Sequence, residues 1–418
     1  MGSQSIHHIV DWRLCIGCGG CAALCPRCRI RLADRADQGI RPTGKVVDCG
    51  TCTDCLKVCP GLGIGKEAGE NGGIASLKTG WGRILETWEG FAASEEIRHR
   101  GSSGGAASAI ALYLIEKGGC GQLVHTGSDD GCAWKNRTVF SRSREELLGR
   151  IGSRYAPASP CDGLGAVLNA GTPSVFIGKP CDVQGVRKAE LIRPELRKKI
   201  RLAISLFCAG TPPTAALLRL MESLHVPIEQ VTGVRYRGRG WPGTFAVWTN
   251  GSDKPAVEIP YLEAWGFLQK YRPNRCYLCP DGTGEFADIS CGDAWHRKPA
   301  DGNQGYSLIL VRTGWGREIF SKAMQAGYIK ATQVDPRVLP LSQPGFPEKR
   351  GAIWGRLLVM KMFGIPTPKY DGWPLFECWM KLPAKEKARS ILGTGKRIVQ
   401  RKYYRPHNSA AGKGRRLN

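Results

Sequence analysis

Two cysteine runs near the N-terminus constrain this chain more than any other feature. The first is Cys15-x2-Cys18-x2-Cys21-x3-Cys25-Pro26, and the second, Cys49-x2-Cys52-x2-Cys55-x3-Cys59-Pro60, repeats it 34 residues later. A thiol at every third position followed by Cys-Pro is the spacing of a two-cluster 4Fe-4S module. Three cysteines of a run hold three irons of one cube, and the fourth reaches across to the other. On that pattern Cys15, Cys18, Cys21 and Cys59 hold one cluster, and Cys49, Cys52, Cys55 and Cys25 hold the second. A zinc ribbon is the rival, because paired C-x2-C also binds tetrahedral zinc. Zinc needs four ligands per ion, however, and does not ask for a doubled, evenly spaced triplet that ends in Cys-Pro. Cys28 falls outside the pattern and reads as a spare thiol.

A relay module alone does not use 418 residues. With 42% hydrophobic content, the chain can bury cores for two or three domains. No stretch near residue 1 combines a charged start, an apolar run and a small-residue cleavage site. The 18 cysteines are therefore expected in a reducing cytoplasm, where clustered thiols bind metal. The longest apolar run, Ala106 to Ile115, is shorter than the roughly 18 residues of a membrane span, so no transmembrane helix is expected.

Beyond a Gly-rich link, "RGSSGGAASAIALYLIEKGG" (Arg100 to Gly119) is a small, polar turn running into a helix that stops at Gly118-Gly119. Such a turn presents backbone N–H groups and a helix dipole to an anion, typically a phosphate. The plain alternative is an ordinary helix cap by Ser102 or Ser103. The turn also contains G-x-S-x-G at Gly101, Ser103 and Gly105, but "SEEIRHR" before it is not the apolar strand that a hydrolase elbow requires. "GLGIG" (Gly61 to Gly65) follows a cysteine run rather than a strand, so it is not a dinucleotide fingerprint. "SVFIG" and "RLAISLF" are apolar enough for buried strands, and each ends in a loop that carries a cysteine, Cys181 and Cys208. Strands alternating with helices predict an α/β core with a mainly parallel sheet, whose ligands sit beyond the carboxyl ends of the strands. Taken singly, Cys181 and Cys208 suit buried structural thiols. The later pair Cys276-x2-Cys279 changes the balance, since four thiolates complete a third cluster.

"RGSSGGAASAIALYLIEKG", "GSRYAP", "GKPCDVQGVRK", "LFCAGTPP" and "CYLCPDGTGEFADISCGDAW" occur in an order that resembles the family of coenzyme F(420) hydrogenase and dehydrogenase β subunits. That family also includes plant and cyanobacterial 7-hydroxymethyl chlorophyll a reductases. The resemblance covers roughly residues 5 to 345, counting a fused two-cluster module. It implies FAD beside a 4Fe-4S cluster in an α/β core, with hydride exchanged between the flavin and a deazaflavin coenzyme or another organic substrate. It places the FAD pyrophosphate at Ser102, Ser103, Gly104 and Gly105, further flavin contacts at Ser153, Arg154 and Tyr155, and Lys179 beside the isoalloxazine as the candidate catalytic cation. Its third cluster uses Cys181, Cys208, Cys276 and Cys279, with Cys291 as a thiol that could replace one of them. Asp281, Asp288 and Asp293 match acidic positions of the family without an assigned role.

The implied organisation is a two-cluster ferredoxin domain over residues 1–80 and the flavin-binding part of the core over 81–190. The part of the core with the third set of ligands follows over 191–345, and a basic, partly disordered tail over 346–418. From Phe346 onward the chain has 17 Lys and Arg against 4 Asp and Glu, so this tail supplies +13 of the formal +24. Docking of an acidic protein or of an anionic membrane surface is the expectation for a redox protein, ahead of a merely solvated face. Nucleic-acid binding is disfavoured. The expected activity is an iron–sulfur flavoprotein oxidoreductase with a ferredoxin-like partner, located in the cytoplasm or peripherally at a membrane. The alternative is a non-catalytic electron-transfer subunit. Arg235, Arg237 and Arg239 could meet an anionic substrate or form a solvated loop.

Overall fold

The computed structural model describes residues 5–44, 49–66, 72–250, 252–298 and 304–407. Its centre is an eight-stranded sheet. The strands are β3 (Glu86–Ala92), β4 (Gln122–Ser128), β5 (Asn136–Ser141), β6 (Ser174–Gly178), β7 (Ile200–Leu206), β11 (Ile289–Asp293), β12 (Ser307–Val311) and β13 (Ile329–Gln333). Across the sheet they lie in the order β13-β3-β12-β11-β7-β6-β4-β5. Strands β6, β7 and β12 are near-continuous apolar runs because they lie inside the sheet with both faces covered.

The sheet is mixed, which corrects the expectation of a mainly parallel one. Strands β4, β6, β7 and β11 run parallel to their neighbours, whereas the β4–β5, β11–β12, β12–β3 and β3–β13 pairings are antiparallel. Helical connections force parallel pairing only between the strands they join. Here β5 returns to β4 without a helix, and β3 inserts between β12 and β13, which the helix Gly314–Gln325 connects.

A separate antiparallel sheet, β8 (Val231–Arg235), β9 (Thr244–Thr249) and β10 (Val257–Pro260), follows β7 and closes on its own apolar cluster around Leu217, Tyr236 and Phe245. Near the N-terminus a hairpin of β1 (Arg31–Arg35) and β2 (Gly39–Thr43) lies between the two cysteine runs. This segment does not stand apart. Ile9, Leu14, Cys18 and Val58 share one apolar cluster with Val183, Val186, Val359 and Ile398.

Five helices matter below: α1 (Ala106–Glu116), α2 (Pro180–Ile192), α3 (Gly345–Met362), α4 (Leu375–Met380) and α5 (Ala384–Gln400). Helix α1 is apolar nearly all round and is buried from Ala109 to Leu114, as such a composition requires. Helices α3, α4 and α5 fold the basic segment against the core. Trp354 packs on Phe376 and Trp379 at ring distances of 5.0 and 4.7 Å. Helix α3 meets α5 at Gly355, where a Cβ would lie 2.3 Å from Ser390 Oγ. The stretch from Asn408 on, expected to be disordered, lies outside the described residues. The same C-terminal segment clasps the "GLGIG" stretch: Lys369 N–H donates to Leu62 O, and Trp373 Nε1 donates to Ile64 O, both at 2.9 Å. Among the described residues no helix is long and apolar enough to cross a membrane.

Candidate redox site

The eight N-terminal cysteines converge in two sets. Burial raises Cys21 well above the usual thiol range, and nearby Cys18, Cys15, Cys59 and Cys55 raise it further. Burial likewise pushes Cys59 up to about 12, with Cys15 and Cys18 adding to the effect. Cys55 is raised by burial and then by Cys49, Cys52 and Cys25. The fourth cysteine of each run therefore sits with the three of the other. Cys15, Cys18, Cys21 and Cys59 are buried, whereas Cys25, Cys49 and Cys55 are partly exposed and Cys52 is exposed. Cys28 is exposed as well.

A third set lies at the carboxyl ends of β6 and β7. Cys181, Cys208, Cys276 and Cys279 line one small cavity of about 60 Å³ together with Cys15 and Lys179. Burial pushes Cys208 up to about 11, and Cys276 and Cys279 raise it while Lys349 opposes them. Among the described residues no three Cys, His, Asp or Glu side chains converge tightly enough to hold a single metal ion. Thiols spread around a shared space fit a cube, in which each ligand binds a different iron. Cys291 does not join this set. It lies on β11 facing the large cavity, and burial alone pushes it up to about 12.

That large cavity, about 910 Å³, opens over the ends of β6, β7 and β11 and has room for a drug-sized cofactor with a substrate. Gly101, Ser102, Ser103 and Gly105 line it, as do Ser153, Arg154, Tyr155 and Lys179. Gly105 caps α1 in the left-handed region (φ 71°), a conformation that a Cβ disfavours, and so aims the first turn of the helix at the cavity. Ser102 Oγ accepts from Ser153 N–H at 2.7 Å, joining the two expected flavin-binding stretches. Gly104 faces away from the cavity: a Cβ there would lie 2.6 Å from Gly90 O, and its N–H donates to Ser307 Oγ at 3.0 Å. Arg154 is tied to the scaffold, donating to Asn136 Oδ1, Ala133 O and Val234 O. Tyr155 belongs to an aromatic wall, with its ring 5.6 Å from Tyr261 and 5.0 Å from Trp265.

Lys179 stands where the cavities meet, since it lines both. Its backbone N–H and its Nζ both donate to Asp182 Oδ2, at 2.9 and 2.6 Å. Burial works to lower its pKa, but Asp182 and the thiols of Cys181 and Cys208 outweigh it and hold the ammonium charged. One turn further along α2, the missing Cβ of Gly185 would lie 3.0 Å from Cys161 Sγ and 3.5 Å from Cys18 Sγ. Cys161 Sγ donates to Asp182 O at 3.1 Å, and its closeness to Cys18 holds the Cys18 thiol below its usual range. Cys161 and Asp182 were not singled out from the sequence; no regular spacing links Cys161 to the cluster thiols, and Asp182, though it directly follows Cys181, gains its role only when the start of α2 brings it back to Lys179.

The acidic positions acquire structural roles. Asp281 Oδ1 accepts from the N–H groups of Thr283, Gly284 and Glu285, fixing the loop after Cys279. Asp288 accepts from Ala203 N–H and Arg187, joining β7 to α2. Asp293 binds Arg237 through both terminal guanidinium nitrogens and accepts from Trp241 Nε1. Arg237 is therefore paired within the protein rather than free for a substrate. Arg235 is paired too, with Glu258 at 2.6 Å.

Comparison with known proteins now decides the lineage. The family profile for the coenzyme F(420) hydrogenase/dehydrogenase β subunit matches here in two parts, its N-terminal part at residues 87–164 and its C-terminal part at 173–337. The chain belongs to this family. The coenzyme F(420) hydrogenase β subunit of Methanosarcina barkeri is 28% identical over 246 residues, 58% of this chain and 79% of the relative. The F component of the F(420)H(2) dehydrogenase of Methanosarcina mazei is 24% identical over 324 residues, 75% of this chain and 84% of the relative. A chain of the xenon-derivatised F(420)-reducing NiFe hydrogenase complex from Methanosarcina barkeri shares the fold, with a TM-score of 0.53 and 24% identity. The likeness covers 70% of this chain and 98% of that one. In this F(420) hydrogenase/dehydrogenase β-subunit relative, both N-terminal cysteine runs and helices α3 to α5 lie outside the matched regions.

His125, on the wall of the large cavity, gives this family member a built-in acid sensitivity. Burial, reinforced by the Arg150 cation, lowers the ring from 6.5 to about 4, and Nε2 lies 2.8 Å from Ser141 Oγ. Between those two values the unfolded chain takes up a proton that the folded one refuses, so stability present at neutral pH declines as pH falls. The loss should reach on the order of 3 kcal/mol near the lower value. His125→Gln should flatten the pH dependence of the urea midpoint across this window.

Proposed function

We propose that the chain is an iron–sulfur flavoprotein oxidoreductase that converts between one-electron and two-electron transfer. Cys15, Cys18, Cys21 and Cys59 would hold one 4Fe-4S cluster, Cys25, Cys49, Cys52 and Cys55 a second, and Cys181, Cys208, Cys276 and Cys279 a third. FAD would occupy the large cavity. Its pyrophosphate would lie at Ser102, Ser103 and the start of α1, with Gly104 backing the turn, Arg154 locking the adjoining loop and Tyr155 on the aromatic wall. A bound flavin supplies hydride exchange, and the clusters supply single-electron transfer. The protein's own contribution is to keep Lys179 protonated beside the cavity, to place the thiol sets in series and to shield the inner ones from water.

Helix α2 carries this reading. Within two turns it presents Lys179 at its cap to the large cavity, Cys181 to the third set and Gly185 to Cys18 of the first set. The outer set, with exposed Cys52, is the natural contact for a ferredoxin-like or other redox partner. Electrons could then pass in either direction between that partner and a deazaflavin coenzyme or another organic substrate. The relatives are hydrogenase and dehydrogenase subunits, which favours one further reading: a non-catalytic subunit that hands electrons to a separate catalytic partner.

Iron, acid-labile sulfide and flavin analysis of anaerobically purified protein tests the proposal. About 12 iron, 12 sulfide and one FAD per chain are expected. Oxidation of reduced deazaflavin by the isolated chain would then favour the enzyme over the subunit. About 8 iron without flavin would overturn the flavoenzyme reading.

A further inference from the structure

The large cavity has a second end, built by residues that no role above uses. Arg272, Arg356 of α3 and Arg397 of α5 surround the ring of Tyr277, with guanidinium carbons 5.2, 5.9 and 5.9 Å from its centroid. All three line the cavity, together with Arg389, Glu386 and Glu348. Glu386 lies 3.6 Å from Arg389, but among the described residues no carboxylate reaches ion-pair distance of the other three arginines. Arg272 donates to Gln269 O and Ala209 O, Arg356 to Tyr277 O, and Arg397 to Thr394 Oγ1. These neutral acceptors leave the positive charge uncompensated. Arg356 Nε is buried without any partner. Burial lowers Arg356 to about 10, and repulsion from Arg397, Arg389 and Arg272 adds to it. Clustered, desolvated like charges are costly unless an anion joins them.

We propose that this arginine cluster binds a phosphate group on the organic substrate and thereby selects phosphorylated substrates for the cavity. The proposal rests on reading the cavity as the place of hydride exchange, but the anion site stands on its own geometry. A lone carboxylate offers one charge and two oxygens, whereas a phosphate offers up to two charges and three oxygens to the guanidinium forks gathered at this end of the cavity. Arg356 and Arg397 also lie beyond residue 337, where the family match ends. Two of the three arginines thus lie on helices outside the family match, while Arg272 lies within it.

The test is a calorimetric titration of inorganic pyrophosphate into the full-length, anaerobically purified protein, with flavin content measured in each sample. Arg356→Gln combined with Arg397→Gln should weaken binding by about tenfold or more without changing flavin content. Arg356→Lys, which keeps the charge but loses the fork, should fall between the two. If the double variant fails to fold, Arg389→Gln is the substitute, since that side chain is 76% exposed; it should weaken binding severalfold. Unchanged binding in the variants overturns the proposal. So does parallel loss of flavin, which would assign the arginines to the cofactor, and so does citrate binding as tightly as pyrophosphate. The titration reads out even if the protein carries no flavin, so failure of the oxidoreductase reading remains separable.

Discussion

Cys181→Ser should remove about four irons and four sulfides from the protein, leaving about eight of each, with flavin content retained. Cys181 belongs to the third thiol set and sits on the first turn of α2, between the cap residue Lys179 and the Gly185 contact with Cys18. On the proposed wiring, loss of this cluster would break the series between the first cluster and the flavin. Electrons delivered to the outer set should then reduce the first and second clusters at an unchanged rate, while flavin bleaching slows by orders of magnitude. Iron and sulfide analysis, EPR of the reduced protein and stopped-flow absorbance would measure the three effects. Unchanged iron content would show that these four thiols do not hold a cluster. Cys291→Ser should leave iron content as it was, because Cys291 faces the large cavity and not this set.

Arg312→Met should cost roughly 4 kcal/mol or more, among the largest losses available to a single substitution here. Arg312 is fully buried at the end of β12. Its guanidinium donates to Ser290 Oγ at 2.8 Å, Trp81 O at 3.2 Å, Arg83 O at 2.9 Å, Thr283 O at 3.3 Å and Thr283 Oγ1 at 2.9 Å. Methionine fills much of the volume but leaves these oxygens buried without their donors, and a buried unsatisfied group costs about 1–3 kcal/mol. Three segments come apart together: the stretch leading into β3, the loop after Cys279, and β11. Lysine should not rescue the site, since a single ammonium cannot span the fork. A lowered urea midpoint in both variants is the expected result. Wild-type stability in Arg312→Lys would show that only the charge matters.

What could be seen in the sequence followed from short-range rules. A cube of fixed size needs thiols at fixed short intervals, so the spacing of Cys15 to Cys25 and of Cys49 to Cys59 is written locally, as is the exchange of Cys25 and Cys59 between runs. The Gly-rich turn at Ser102 to Gly105 and the strands that end before Lys179 and Cys208 also follow from local propensity, and the fold brings all of them to the rim of one cavity.

The tertiary structure decided whatever depends on which distant segments become neighbours. Two of the eight-stranded sheet's four antiparallel pairings arise because β3 was placed between β12 and β13, an order that no local pattern encodes. Arg237 read either as a substrate contact or as part of a solvated loop until β11 delivered Asp293 to it. Cys161 meets Cys18 only because Gly185 lets α2 approach both. The basic C-terminal segment read as a solvent-facing or partner-facing tail, since net charge is additive along the chain and carries no direction. Folding turned Arg356 and Arg397 inward to join Arg272 around Tyr277, and a charge without direction became a cavity wall.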